Sequence, residues 1–526
     1  HDYSAADLAE DLDSIVKVIE EILASNIHMM GVNKQFVGDE CVDNLENIIK
    51  LVFGLNVVEV KEQDLEEILD IFLGELVDLS AVNFSMVDLS KDGETLAGII
   101  APVYVIAKEV LTNGFAIEIL ADEVIFDAII DIYETIIDTT IVEYVVPAAV
   151  KSIVDGLGLT GLVGDIITAI DLNGLADAEI YEDLETIAKI LRNVETLDIM
   201  AIVFEEAQIG LFDINGYETL LNNVFDINIL DHAMISVIEV VVESLLQVEL
   251  DDAAMAAISA DAEQAKIVNA IVKLLTVVES LDVQYVSEAY AHFNELLPNI
   301  VDDIQTAGSF FAEGKFVDGI CEMLETIGAE LEAIDKVALI DALESLVSLD
   351  LIAVIGVDAY NQLVFEGFDG DMAVIADLHD YSASNLTNDL LSIVQIVEEI
   401  LASNIHMMGI NKEFVSEECI DNLQSAILLL VTLNIVDIKE QDIEEIINIF
   451  LGDSIEFVDS NLDAIDITFD GAVLAIILEP LYKVIDTVFE EGLSAELLTN
   501  TEFYNALVEI YKYVLSMTSV KEIVPS

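Results

Sequence analysis

The chain has 526 residues, 54% of them apolar, and carries 102 acidic side chains against 18 basic ones, for a formal net charge of −84. That apolar content excludes a disordered chain. The charge excludes a nucleic-acid binder, because phosphate recognition needs clustered Lys and Arg, whereas Arg192 is the only arginine and residues 193–265 and 337–411 have neither Lys nor Arg.

From the start of the chain, apolar residues recur at spacings of three and four in Leu12, Ile15, Val16, Val18, Ile19, Ile22 and Leu23, and again in Leu45, Ile48, Ile49, Val52 and Phe53. These spacings predict amphipathic helices with Asp and Glu on the outer face. Residues 57–60 fit a short extended piece or a kinked helix. Asp88-x-Ser90-x-Asp92-Gly93 has the oxygens and the glycine of the first half of a calcium-binding loop. The bidentate Glu that closes such a loop is absent, and Ile99 stands there. Asp88, Ser90 and Asp92 are the candidate Ca²⁺ ligands, with turn and cap residues as the competing reading.

Gly156-Leu157-Gly158-Leu159-Thr160-Gly161 fits the dinucleotide glycine pattern, but a helical run precedes it and acidic residues flank it, so it reads as a hinge near residues 156–164. Asp171-x-Asn173-Gly174 and Asp213-x-Asn215-Gly216 are acidic turns. Helical periodicity resumes in Leu339, Leu343, Leu346 and Val347.

At His379 the chain starts again. His1-Asp2-Tyr3-Ser4-Ala5 returns as His379-Asp380-Tyr381-Ser382-Ala383, and 68 of 148 positions are identical between residues 1–148 and 379–526 without a gap. Residues 21–31 return unchanged as 399–409. The calcium-like oxygens return as Asp466, Thr468 and Asp470. Fainter echoes lie 172 residues apart: Asp11-Leu12, Ile15 and Lys17 against Asp183-Leu184, Ile187 and Lys189, then Val52-Phe53 and Asn56 against Val224-Phe225 and Asn228. They suggest an older, smaller helical module. The expected organisation is a first copy (1–148), a helical region (149–378) completing a 378-residue unit, and a second copy (379–526), cut from a longer parent chain.

The longest uncharged runs, 422–436 and 95–107, hold 15 and 13 residues. A spanning helix needs about 20, so no transmembrane segment is expected. Cys41, Cys321 and Cys419 read as small buried hydrophobes, not as a disulfide framework. His28 and His406, in identical Asn-Ile-His-Met-Met segments, have no partner at metal-ligand spacing and read as packed or surface histidines.

The expected fold is all-α, a tandem helical-bundle or α-solenoid-like repeat array with little or no β structure. No catalytic motif is present, so the chain is expected not to be an enzyme. The expected function is that of a structural repeat segment of a large acidic cell-surface or extracellular filament or matrix protein. Its partners would be neighbouring repeat units or other copies of itself, with cations or a basic protein drawn by the charge. The alternatives are a helical module enclosing a lipid-like ligand, or an acidic scaffold for a basic partner.

Overall fold

The computed structural model describes residues 3–29, 32, 38, 40–73, 79–80, 82–114, 116–156, 161–170, 172–203, 213–242, 244, 258, 260–281, 286–357, 382–412, 418–436, 464–491, 497 and 499–523. Among these the secondary structure is entirely helical, with no strand. Most of the glycine-rich run after Gly156, and Asp171, lie outside the described residues.

The chain forms two compact units, His1–Leu245 and Leu246–Ser526. The principal helices of the first are α1 (Ala5–Ala24), α2 (Glu40–Phe53), α3 (Asn56–Glu62), α4 (Leu89–Ala97), α5 (Ile100–Asn113), α6 (Glu123–Ile137), α7 (Thr140–Gly156), α8 (Asp177–Thr196), α9 (Ile214–Phe225) and α10 (Asn228–Val241). Those of the second are α11 (Ala260–Ser280), α12 (Val286–Ala312), α13 (Phe316–Met323), α14 (Glu325–Ala333), α15 (Lys336–Val347), α16 (Ala383–Ala402), α17 (Met407–Asn411), α18 (Glu418–Val431), α19 (Ile467–Glu491), α20 (Thr501–Val514) and α21 (Thr518–Ile523). Residues 57–60 fall inside α3 and are helical. The end of the first copy, Ala148, falls inside the continuous helix α7.

Local signals start these helices where they start. Ser4 and Asp7 form a reciprocal capping box on α1, and Asp122, Asp335 and Asn500 accept amide protons at the starts of α6, α15 and α20. Asp213 accepts from the Gly216 amide, so the acidic turn there is the cap of α9. The two copies differ at one joint. The first has Gly98 between α4 and α5, which meet at 41°, whereas the second has Ile476 inside the unbroken α19.

In the first unit α1 packs on α2, α2 on α4, α5 on α6, and α8 on α6, α7 and α9. Ile137, Val142 and Ala188 form one buried cluster with Tyr133 and Tyr181 packed against it. The two tyrosines cross between helices: Tyr133 donates to the Leu184 carbonyl (3.0 Å) and Tyr181 to that of Ile137 (2.9 Å). In the second unit α11 packs on α15, α12 on α13, α14 on α17, α15 on α16, and the chain α16–α18–α19–α20 follows by successive contacts.

One described helical stretch, residues 383–411, is long and apolar enough by length and composition to cross a membrane, although only 22% of its most apolar window is buried in the protein. The core helix of a folded domain can pass the same length-and-composition test, and the stretch carries Asp389, Glu398 and Glu399.

Candidate functional site

Carboxylates are expensive to bury unless every oxygen is paired. Six acidic side chains are buried among the described residues: Asp11, Asp92, Asp183, Glu263, Asp389 and Asp470. All six do the same thing. Each straddles the start of a later helix and accepts the amide protons of its first two residues.

Asp11 of α1 accepts from the Asn56 amide (2.6 Å), the Asn56 side chain (2.9 Å) and the Val57 amide (3.0 Å) at the start of α3. Asp183 of α8 holds Asn228 and Ile229 of α10 at 2.6, 3.0 and 3.0 Å in the same pattern. Asp389 of α16 holds Asn434 and Ile435 at 2.7, 2.8 and 3.0 Å. A second form uses threonine. Asp92 of α4 accepts from the Thr140 amide (2.6 Å), its hydroxyl (2.9 Å) and the Ile141 amide (3.0 Å) at the start of α7. Asp470 of α19 accepts from the Thr518 amide and hydroxyl and from the Ser519 amide (2.8 Å). Glu263 of α11 holds the amides of Asp350 (3.3 Å) and Leu351 (3.1 Å). Lys266 bridges Glu263 at 3.6 Å and Asp350 at 2.6 Å.

The physical logic is that of a helix cap supplied from a distance. The first amides of a helix lack intrahelical partners and carry partial positive charge, so a buried carboxylate and a helix start satisfy one another. The asparagine form spans 45 residues and the threonine form 48. Glu263 spans 87, because α12, α13 and α14 are inserted between it and Asp350. Along the chain the six alternate strictly, at the seventh helical position in α1, α8 and α16 and at the fourth in α4, α11 and α19. The echo 172 residues apart therefore has a structural content: Asp11 with Asn56, and Asp183 with Asn228, are the same cap.

Electrostatics follow from this pairing. Burial pushes the Asp470 carboxyl up, but hydrogen bonds from Ser519 and Thr518 outweigh it and leave the group below its ordinary value. Asp11 is likewise lowered, its desolvation outweighed by Tyr3, Asn56 and Val57. Tyr3, which donates to Asp11 at 2.6 Å, is pushed up to about 12 by that hydrogen bond.

The residues expected as calcium ligands lie at these caps. Asp88 caps α4 by accepting from the Lys91 amide (2.9 Å), Ser90 is exposed with its amide on Glu62 (3.1 Å), and Asp92 faces inward to Thr140. In the second copy Asp466 accepts from the Phe469 amide (2.6 Å), the Thr468 hydroxyl donates to the Val431 carbonyl (3.2 Å), and Asp470 holds Thr518. These oxygens thus sit on a helix cap and first turn, not around an open loop. Among the described residues no group of three or more His, Cys, Asp or Glu side chains has the arrangement to hold a metal ion.

Two further constellations stand out. Arg192 of α8 reaches Glu134 through two nitrogens (3.0 and 2.8 Å), Asp131 (2.6 Å), Asp127 and Glu195 (3.2 Å), and so ties α8 to α6. Its hydrogen bonds to Glu134 first, then to Asp131 and Asp127, hold its pKa above the ordinary value against desolvation. A cleft of about 600 Å³ beside it is rimmed by Glu134, Asp138, Glu185, Lys189 and Asn223.

The other is the joint between the second copy and the helices before it. His406 is 2% exposed, and its Nε2 lies 2.8 Å from Glu332 and 3.1 Å from Lys336. Lys412 pairs with Glu325 and with Glu322. A Cβ on Gly409 would lie 2.1 Å from the Leu324 carbonyl oxygen, and one on Gly328 would lie 2.5 Å from that of His406, so the two backbones touch where only glycine fits. Val394 and Leu401 of α16 are buried at 4% and 6% exposure, and a cleft of about 410 Å³ between α15 and α16 is lined by Val337, Ile340, Leu401 and Glu398.

No protein-family model, curated protein or solved structure matches the chain. Its function is therefore read from these joints alone. Sequence reasoning had Asp92 and Asp470 as retained oxygens and Asp11 and Asp183 as echoes, but gave no role to Glu263 or Asp389. The signal that connects them is an inward-facing acid on one helix and a later helix start, 45 or 48 residues on in five of the six.

Proposed function

We propose that this chain is a structural repeat segment of a large acidic protein, working by the docking of helical units in series and not by catalysis, at a cell surface or in an extracellular filament or matrix. The observation that carries this reading is the joint before the second copy. The longest run shared unchanged between the copies, 398–409, contains His406 and Gly409, which seat that copy against α14 and α15. Retention in a joint is what serial assembly requires. In this reading the acidic outer faces keep a very apolar chain in solution, and its partners are neighbouring units.

The test is hydrodynamic. Chains containing one, two and three 378-residue units, studied by small-angle scattering and negative-stain microscopy, are expected to lengthen in proportion to unit number at constant cross-section. A radius of gyration growing only as that of a compact globule, near N^0.38, would defeat the proposal.

A further inference from the structure

The two copies offer an internal comparison of one surface with and without its cover. In the second copy, α16 and the residues after it are covered by α13, α14 and α15 of the same unit. In the first copy the corresponding face is bare. Val16 is 53% exposed where Val394 is 4% exposed, and Leu23 is 62% exposed where Leu401 is 6% exposed. His28 is exposed where His406 is buried. Leu8 and Leu12, at 49% and 54% exposure, extend the bare face along α1.

The bare face has nonetheless kept the side chains of the covered one. Leu8, Val16, Leu23 and His28 are identical to Leu386, Val394, Leu401 and His406, and further along the sequence Gly31 and Lys34 match Gly409 and Lys412. Elsewhere in the alignment fewer than half of the positions are identical. Retention of a wide apolar stripe at water-exposed positions has no basis in the stability of α1 itself, since a surface helix gains nothing from exposed Val and Leu. Charge sharpens the fit. In a chain with 18 basic residues, the second copy places a Lys and a His against Glu322, Glu325 and Glu332 of the cover, and the first copy keeps both.

We infer that the face of α1 formed by Leu8, Val16, Leu23 and His28 is a docking surface for a further copy of the 316–347 helical segment, carried by another 378-residue unit. The occupant presents a glycine at the position of Gly328 for close backbone approach, an apolar residue at that of Ile340, and an acidic side chain at that of Glu332 for His28. The inference rests on the reading of the chain as a serially docking repeat and adds the surface and its partner.

The experiment fuses a second copy of residues 1–378 ahead of His1 and reads the accessibility of a thiol placed by Leu23→Cys in the original first copy, with Val16→Cys as an independent reporter on the same face. The buried Cys321 of each unit, unlabelled, certifies the fold in the same mass spectra. Maleimide labelling at position 23 or 16 is expected to be fast in the 526-residue chain and slower by about tenfold or more in the extended one, because a docked face reacts only through local opening. Gly328→Leu in the added unit is expected to restore fast labelling. Equal rates in the two chains at both positions, with Cys321 still protected, overturn the inference. So does protection in the unextended chain that grows with concentration, which would mean that the face pairs with itself. Elongation with unit number is read separately by scattering, so rods with an unprotected face refute the surface alone, and a protected face in a compact particle refutes the elongated arrangement alone.

Discussion

Replacing Asp183 with alanine tests whether the buried carboxylates hold the fold together. The side chain is 2% exposed and accepts three hydrogen bonds, two from backbone amides at the start of α10 and one from the Asn228 side chain. Hydrogen bonds to a charged group contribute about 1.5–3 kcal/mol each, and an orphaned buried amide costs about 1–3 kcal/mol. These terms overlap, and the substitution also removes the cost of burying a charge. A net loss of about 3 kcal/mol follows, above the ~0.5–2 kcal/mol of an ordinary cap deletion. In a unit of this size, His1–Leu245, 1 kcal/mol moves the melting temperature by about 2–4 °C, so the shift is about 6–12 °C. Asp213→Ala is the control, since that exposed cap holds one amide, that of Gly216 at 3.0 Å. It is expected to cost about 1 kcal/mol or less. Calorimetry gives the shift, and hydrogen exchange gives its location: peptides covering Asn228 and Ile229 are expected to exchange about a hundredfold faster in Asp183→Ala, at 1.4 kcal/mol per decade. If both variants shift the transition equally and the α10 amides keep their protection, the reasoning about distant caps is wrong.

Four other outcomes are expected. Arg192→Met leaves Asp127, Asp131 and Glu134 facing one another on α6, and is expected to cost about 1–2 kcal/mol at low salt because the site is partly exposed; the loss should shrink in 1 M salt, and a melting shift insensitive to salt would contradict the electrostatic account. The thiols of Cys41 and Cys419 are raised by burial, against hydrogen bonds with Ser25 and Ser403 that lower them, so all three cysteines, Cys321 included, should react with a thiol reagent only as the chain unfolds; prompt labelling of the native chain at neutral pH would refute that. Stability is expected to peak in mild acid. Glu62, raised first by burial, is more easily protonated in the fold, so its contribution improves as pH falls through its folded value, and protonation also relieves the net charge of −84. Asp11 and Asp470 are lowered, so their stabilisation is complete above the ordinary carboxylate range and is lost as pH falls through their folded values; a melting temperature that falls steadily from pH 7 to pH 5 would be incompatible with this. Finally, Ca²⁺ and Mg²⁺ at equal concentration should raise the melting temperature alike if they act on the general charge, whereas a much larger effect of Ca²⁺, abolished by Asp88→Ala, would establish a specific site.

The helical class was legible because periodicity is a property of side-chain order. Leu12, Ile15, Val16, Ile19 and Leu23 do form one stripe of α1. Its surroundings were not legible: such wide stripes imply cover on several sides, yet this one is exposed in the first copy, because cover comes from elements distant in sequence. The caps were half legible. Asp11 with Asn56 and Asp183 with Asn228 surface as a faint echo because Asn also lends its side chain to the bond. Asp92 and Asp470 stand out beside a glycine as retained oxygens, but what they face are backbone amides, which every residue except proline possesses and no pattern advertises. Glu263 gave no signal at all, being one carbon longer than its counterparts and separated from its helix by the inserted α12–α14.

A bond between a side chain and a backbone amide has one mutable end. The carboxylate must stay, but the residue receiving it is Asn in three cases, Thr in two and Asp in one without loss of the contact. Drift at the receiving end is nearly free, so such a chain can diverge until one acid per long helix is almost all that descent leaves behind. A search for its kin is better conducted with that sparse lattice of inward acids, five of the six followed by a new helix start 45 or 48 residues later, than with overall resemblance.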